Sequence, residues 1–139
     1  MNLIYIIIVY TIIVNTFYMN NSNKSILARA CDPVLSAYGA KMIPPKIGNP
    51  EYIYSNSDAD FFEKLSSRKW SVIYFAPGAC RFSAAGHNIP GQDQSTLGWT
   101  IEDYKKVIYE HQDSDIQIVE ALDEGQSLEL LKNALSQVA

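Results

Sequence analysis

The sequence predicts an α/β domain behind an apolar N-terminal segment. Two observations carry this. Short apolar runs bounded by turn residues alternate with stretches whose apolar residues recur at helical spacing, in the order β-α-β-loop-α-β-α. Such alternation builds a parallel or mixed sheet with helices packed on it, here a small two-layer or three-layer sandwich. Ahead of this pattern, residues 3–18 are almost wholly apolar, and no charged side chain appears before Lys24.

The N-terminal segment comes first. Exposing so many apolar side chains to water is unfavourable by roughly 25 cal/mol per Å². A membrane-spanning helix needs about 20 apolar residues, with about 17 as the lower limit, and Leu3 to Met19 just reaches that limit. Shorter apolar cores belong to signal peptides, and the small-x-small triplet Ala28-Arg29-Ala30 offers a cleavage point before Cys31. A third reading buries the segment in a core or a complex. No basic residue precedes it, so its orientation is not set. Residues 1–19 are therefore read as a membrane anchor or signal segment, with the membrane contact through residues 3–19. The expected location is membrane-associated or secretory, an organelle or virion membrane included.

Residues 20–50 read as a linker and extended arm. Asn20 to Ser25 is polar and aperiodic, and holds two Asn-x-Ser glycosylation patterns, which matter only in a lumenal segment. Pro33, Gly39, Pro44, Pro45, Gly48 and Pro50 punctuate the remainder of the arm. The small domain is placed at 51–139, where about 90 residues make a modest core that leaves room for an extra strand from residues 31–50 or from a partner.

Within that domain, Tyr52-Ile53-Tyr54 is the first strand. Ser57, with Asp60 three residues on, caps a helix from Asp58 to Ser66 that buries Phe61, Phe62 and Leu65. Val72 to Ala76 is the central strand, apolar on both faces. A loop of roughly twenty residues comes next, because Pro77-Gly78 is a turn signal. Thr100 and Asp103 then open a second helix, with Trp99 and Tyr104 placed as a hydrophobic staple. Asp115 to Leu122 is the next strand. Asp123 and Gln126 cap a final helix that buries Leu128, Leu131, Leu135 and Val138. One core is expected from Phe61, Phe62, Val72 to Phe75, Ile118, Val119, Leu128, Leu131 and Leu135.

The whole chain carries a net charge of −4, with its lysines and arginines scattered. No basic stripe interleaves with aromatics, which argues against nucleic acid as a partner. His87 and His111 have no carboxylate cluster beside them, so no metal site and no cofactor is assigned. His111 reads as a cation near a helix C-terminus. The two cysteines, Cys31 and Cys80, either pair in an oxidising compartment or stand as separate buried thiols.

Chemistry is expected after the central strand, since ligands in α/β folds gather at the carboxyl ends of strands. Gly78, Cys80, Arg81 and Ser83 lie there, and the long loop His87 to Gly98 can cover that end. The run Asp58 to Leu65 is similar to the first helix of the thioredoxin-like superfamily, and Trp70-Ser71-Val72-Ile73-Tyr74-Phe75-Ala76-Pro77 resembles its central strand. Cys80-Arg81-Phe82-Ser83 resembles the C-G-F-S of monothiol glutaredoxins, with Arg81 in the glycine position. That resemblance implies a thioredoxin-like variant of the fold and redox chemistry at Cys80, the single candidate catalytic residue. The family's Pro-led hairpin has no counterpart, because Ile116 to Leu122 runs straight into a helix. The same loop also resembles the phosphate cradles of small tyrosine phosphatases and rhodaneses. Phe75 stands where their cysteine does, so that resemblance implies anion binding without a thiolate, by Gly78, Arg81 and Ser83, with His87 nearby.

Two functions are therefore expected from different classes. One is a non-catalytic, membrane-tethered α/β domain that works by protein–protein contact in a membrane-associated assembly or virion. The other is a thioredoxin-like monothiol redox protein using Cys80.

Overall fold

The computed structural model describes residues 2–17 and 19–139. Met1 and Tyr18, which the anchor reading of 1–19 includes, lie outside the described residues. Helix α1 spans Leu3–Phe17. The α/β domain comes after it, with β1 (Ser25–Arg29), α2 (Pro33–Met42), a short 3₁₀ turn (Pro44–Lys46), β2 (Glu51–Ser55), α3 (Asp58–Ser67), β3 (Val72–Phe75), α4 (Pro77–Ala84), α5 (Ile101–His111), β4 (Gln117–Glu120) and α6 (Glu124–Ser136).

Four strands form one sheet in the order β2-β1-β3-β4, and every neighbouring pair is parallel. This corrects the reading of residues 20–50 as linker and arm, and the start of the domain at 51. Strand β1 lies inside that stretch and is a central strand, with Ile26 opposite both Tyr52 and Val72. It escapes a sequence reading because it ends on a charged residue, Arg29, whose burial depends on a distant partner, Asp58. Ala28-Arg29-Ala30, the candidate cleavage triplet, is the buried carboxyl end of this strand.

The sheet divides the interior in two, so the single predicted core is corrected to a pair of clusters. Alternation along the strands sends Leu27, Ile73 and Phe75 to one face, where α3, α4 and α5 contribute Phe61, Leu65, Ala79, Cys80, Tyr104 and Ile108. Ile26, Ala28, Val72 and Tyr74 point to the other, against Leu131, Ala134 and Leu135 of α6 and Ile47 after the 3₁₀ turn. Phe62, Ile118 and Leu128 sit at the margins, partly buried.

The helix starts obey local chemistry. Ser57 Oγ accepts the Asp60 N–H at the head of α3. The Asp103 carboxylate accepts the Thr100 N–H at 2.9 Å at the head of α5, and Trp99 and Tyr104 pack edge to face with centroids 5.5 Å apart. The Asp123 carboxylate accepts the Gln126 N–H at 3.0 Å at the head of α6. The loop expected after β3 is corrected as well, for its first eight residues form α4. Proline suits the first helical position, where its missing N–H has no intrahelical use, so Pro77-Gly78 opens a helix here.

Leu131 is fully buried under the sheet. Leu131→Ala should lower the unfolding free energy by about 2–5 kcal/mol, and Leu128→Ala, at the margin, by clearly less. Urea denaturation of the two variants beside the native chain checks the order.

Candidate functional site

In open parallel sheets the crevice for ligands lies at the carboxyl ends of the strands, where the chain order reverses. Here that point falls between β1, whose chain continues to β2 on one side, and β3 on the other. Cys31 lies just after β1 and Gly78 just after β3. A Cβ placed on Gly78 would stand 3.5 Å from Cys31 Cβ and 3.7 Å from its Sγ, which is ordinary contact. The half-buried Cys31 thiol has its pKa raised, first by burial and against the lowering effect of Arg29.

The sequence-predicted residues do not converge on one point. Cys80 is buried in the first turn of α4, and its thiol donates to the Phe75 carbonyl at 3.3 Å. Burial is the leading cause that pushes its pKa up to about 11. A thiolate needs a neighbouring cation or helix-terminal N–H groups, and the Cys80 N–H is already given to the Ala76 carbonyl. Arg81 reaches away from the crevice, donating to the Leu122 carbonyl at 3.0 Å and pairing with Glu124 at 3.2 Å. Ser83 Oγ accepts the Ile101 N–H at 3.2 Å and so ties α4 to the start of α5. His87 is exposed beyond the end of α4, its N–H given to the Phe82 carbonyl.

A cleft of about 400 Å³ opens beside these residues, lined by Cys80, Ser83, Thr100, Ile101, Glu120 and Leu122 among others. Lys105 bridges two carboxylates at its edge, Glu120 at 2.7 Å and Glu102 at 3.1 Å. The hydrogen bond to Glu120 is the main cause that raises the lysine's pKa. The cleft therefore has a neutral thiol at its floor and charges already matched at its rim. Among the described residues no group of three or more His, Cys, Asp or Glu could hold a metal ion.

A fully buried polar cluster near the strand ends is one that sequence reasoning misses. Arg29, the last residue of β1, is fully buried and donates through Nε to Asp58 Oδ1 at 2.9 Å. Its two other nitrogens serve carbonyls, Nη1 that of Ala30 and Nη2 that of Pro90 at 2.8 Å. The other oxygen of Asp58 accepts from Thr96 Oγ1 at 2.6 Å and from the Tyr104 hydroxyl at 2.7 Å. Asp58 also donates its N–H to the Gly91 carbonyl. The Tyr104 phenol is held protonated, its pKa raised by burial first and by the Asp58 carboxylate next. This cluster pins the 87–98 loop over the strand ends. Gly91 sits at φ +88, and a Cβ there would fall 2.2 Å from the Asn56 carbonyl oxygen and 3.1 Å from Arg29 Nη2. The signal available in the sequence is an arginine closing an apolar run, with an aspartate on the first turn of α3, the crossover helix after β2.

Comparisons with known proteins add no relative: no protein-family model, no curated protein and no solved structure matches this chain. The class that the fold defines is an α/β domain with an all-parallel four-stranded sheet, helices on both faces and a closed loop over its strand ends.

Removing one partner of a buried pair strands the other charge, at about 3–5 kcal/mol. Asp58→Ala should cost about that much in chemical denaturation, and Thr96→Ala less, since the ion pair survives it. A second outcome concerns Cys80. In Cys31→Ser protein, iodoacetamide should modify Cys80 slowly at pH 7, with a rate that climbs toward pH 11. The folded pKa lies above the ordinary value of 9.0, so the buried thiol's contribution is complete below about pH 9 and is lost as pH rises through about 11. The native chain should therefore lose more stability across that window than Cys80→Ala, as thermal melts at stepped pH would show.

Proposed function

We propose that this chain is a non-catalytic α/β domain, tethered to a membrane through residues 3–19, that works by protein–protein contact within a membrane-associated assembly or virion. The observation that carries this reading is the surface of α1. From Leu3 to Tyr10 every side chain is apolar or aromatic and every one is exposed, Leu3 and Tyr10 both at 69%. Over these eight residues no face is polar, so this part of the helix has no side suited to water.

Length qualifies how α1 engages. Among the described residues no helix is long and apolar enough to cross a membrane. Fifteen residues make a rod of about 22 Å at 1.5 Å per residue, against a hydrocarbon core of roughly 30 Å. The helix enters the apolar layer, and residues up to Met19 complete the tether. The state of the crevice supports a scaffold over an enzyme: the Cys80 thiol is neutral and donates to a carbonyl, and Arg81 is engaged with Leu122 and Glu124.

The thioredoxin-like reading keeps one favourable observation, that Cys80 lines the cleft beside Ser83. Alkylation decides between the two. Rapid modification of Cys80 below pH 7, lost on Arg81→Ala, would favour a redox thiol.

The tether is tested by flotation with phospholipid vesicles. The full chain should float with the lipid, and a chain beginning at Asn20 should stay in the aqueous fraction with cooperative unfolding intact. Ile8→Arg should weaken flotation, because an arginine near the middle of an inserted helix is costly. A full chain that stays in the aqueous fraction would refute the tether.

A further inference from the structure

Helix α2 is built inside out. The face it turns to the sheet carries small residues, with Ser36 buried and Gly39 and Ala40 partly so, ahead of Ile43 at the helix end. Its large apolar side chains point outward instead: Val34 at 78% exposure, Leu35 at 64%, Tyr38 at 63% and Met42 at 36%. Positions 34, 38 and 42 are separated by four residues and position 35 flanks them, so the four make one continuous stripe. Lys41 falls on the same face, and Lys46 stands just beyond in the 3₁₀ turn. Both are exposed and neither forms an ion pair among the described residues. Asp32 is the one acidic residue before Glu51, and its carboxylate is occupied in capping α2 through the Val34 and Leu35 N–H groups.

The stripe also leads toward the root of α1. The chain leaving α1 is clasped just beyond the 3₁₀ turn that ends α2. Asn21 donates its N–H to the Gly48 carbonyl at 2.7 Å and its side-chain amide to the Ile47 carbonyl at 2.7 Å. The backbone at Met19 lies so close that a Cβ on Gly48, at φ +87, would fall 2.5 Å from the Met19 carbonyl oxygen. The 3₁₀ turn that follows Met42 therefore leads to the point where the apolar tether emerges.

We propose that the outward face of α2 is a second membrane contact, lying in the headgroup region of the same bilayer that α1 enters. This rests on the tether reading above. An apolar stripe with a tyrosine, flanked by lysines and short of acids, is the composition of a helix that lies at an interface, its apolar side chains in the acyl boundary and its lysines reaching anionic headgroups. Two attachment points, α1 and α2, fix the orientation of the domain: the α2 and α6 side of the sheet faces the lipid, and α3 and α5 face away.

The test places a tryptophan on each side of the full-length chain. Tyr38→Trp and Tyr109→Trp replace residues of similar exposure, 63% and 57%, on α2 and on α5 across the sheet. Trp70 and Trp99 are common to both variants and cancel. Each is bound to phosphatidylcholine–phosphatidylserine vesicles whose acyl chains are brominated near the headgroup. Emission of Tyr38→Trp should be quenched severalfold more than that of Tyr109→Trp, and adding Leu35→Glu should reduce the difference while flotation persists. Equal quenching of the two in a chain that floats overturns the α2 contact and leaves the tether standing. Failure to float overturns both. If Tyr38→Trp does not fold, hydroxyl-radical oxidation of the native chain replaces it: protection of Tyr38 and Met42 relative to Tyr109 on vesicles supports the contact, and equal oxidation refutes it. Where Tyr38→Trp folds, no quenching by brominated lipid together with protection of native Tyr38 from oxidation would overturn the lipid contact in favour of a second copy of the chain.

Discussion

The buried pair of Arg29 and Asp58 is the constraint on which the rest of the domain depends. A guanidinium at the end of a central strand is among the costliest groups to remove from water, and it is tolerated because its nitrogens find Asp58 and the carbonyls of Ala30 and Pro90. Asp58 in turn draws in Thr96 and Tyr104. One ion pair thus joins β1, the first turn of α3, the long loop and α5. β1, the head of α3 and the loop with α5 lie far from one another in sequence. The Tyr104 ring whose hydroxyl reaches Asp58 also stacks on Phe62 and meets Phe61 and Phe75 edge-on.

That closure shapes what the strand ends can do. The crevice between β1 and β3 is the natural ligand position of an open parallel sheet, yet the polar groups around it are already spent on one another. Arg29 and Asp58 are sealed beneath the loop, Arg81 braces the β4–α6 connection, and the Cys80 thiol donates to the strand that precedes it. Exposed apolar surface lies instead on α1 from Leu3 to Tyr10 and on the outward stripe of α2. Few residues separate α1 from β1, and Asn21 clasps that short connection to Gly48 and Ile47.

Much of the fold is legible in the sequence because its signals are local. The apolar run of β3, the spacing of Phe61 and Leu65, the Thr100–Asp103 and Asp123–Gln126 caps and the staple of Trp99 on Tyr104 all act within a few residues, and each element stands where that chemistry places it. The elements that escape such a reading depend on distant partners. Strand β1 ends in a charge whose burial makes sense only once Asp58 is known. Helix α4 begins at Pro77-Gly78, which serves a turn and a helix start equally well, and the packing of Ala79 and Cys80 under the sheet selects the helix. Helix α2 shows the converse problem, since its stripe has the spacing of a core face and yet points outward.

The candidate site divides in the same way. Residue types and spacing located the end of β3 and named Gly78, Cys80, Arg81 and Ser83, but spacing does not say where a side chain points. The tertiary structure sends Arg81 toward Glu124 and buries Cys80, and burial raises the thiol's pKa because the charged form loses its water. The sequence by itself determined an apolar N-terminal segment, the α/β class and the starts of α3, α5 and α6, because periodicity, capping and turn chemistry are short-range. The tertiary structure alone decided the parallel order β2-β1-β3-β4, the division of the core and the engagement of the charged groups. Those depend on which strands become neighbours and on how a buried charge is satisfied, and both are settled by contacts between residues far apart in the chain.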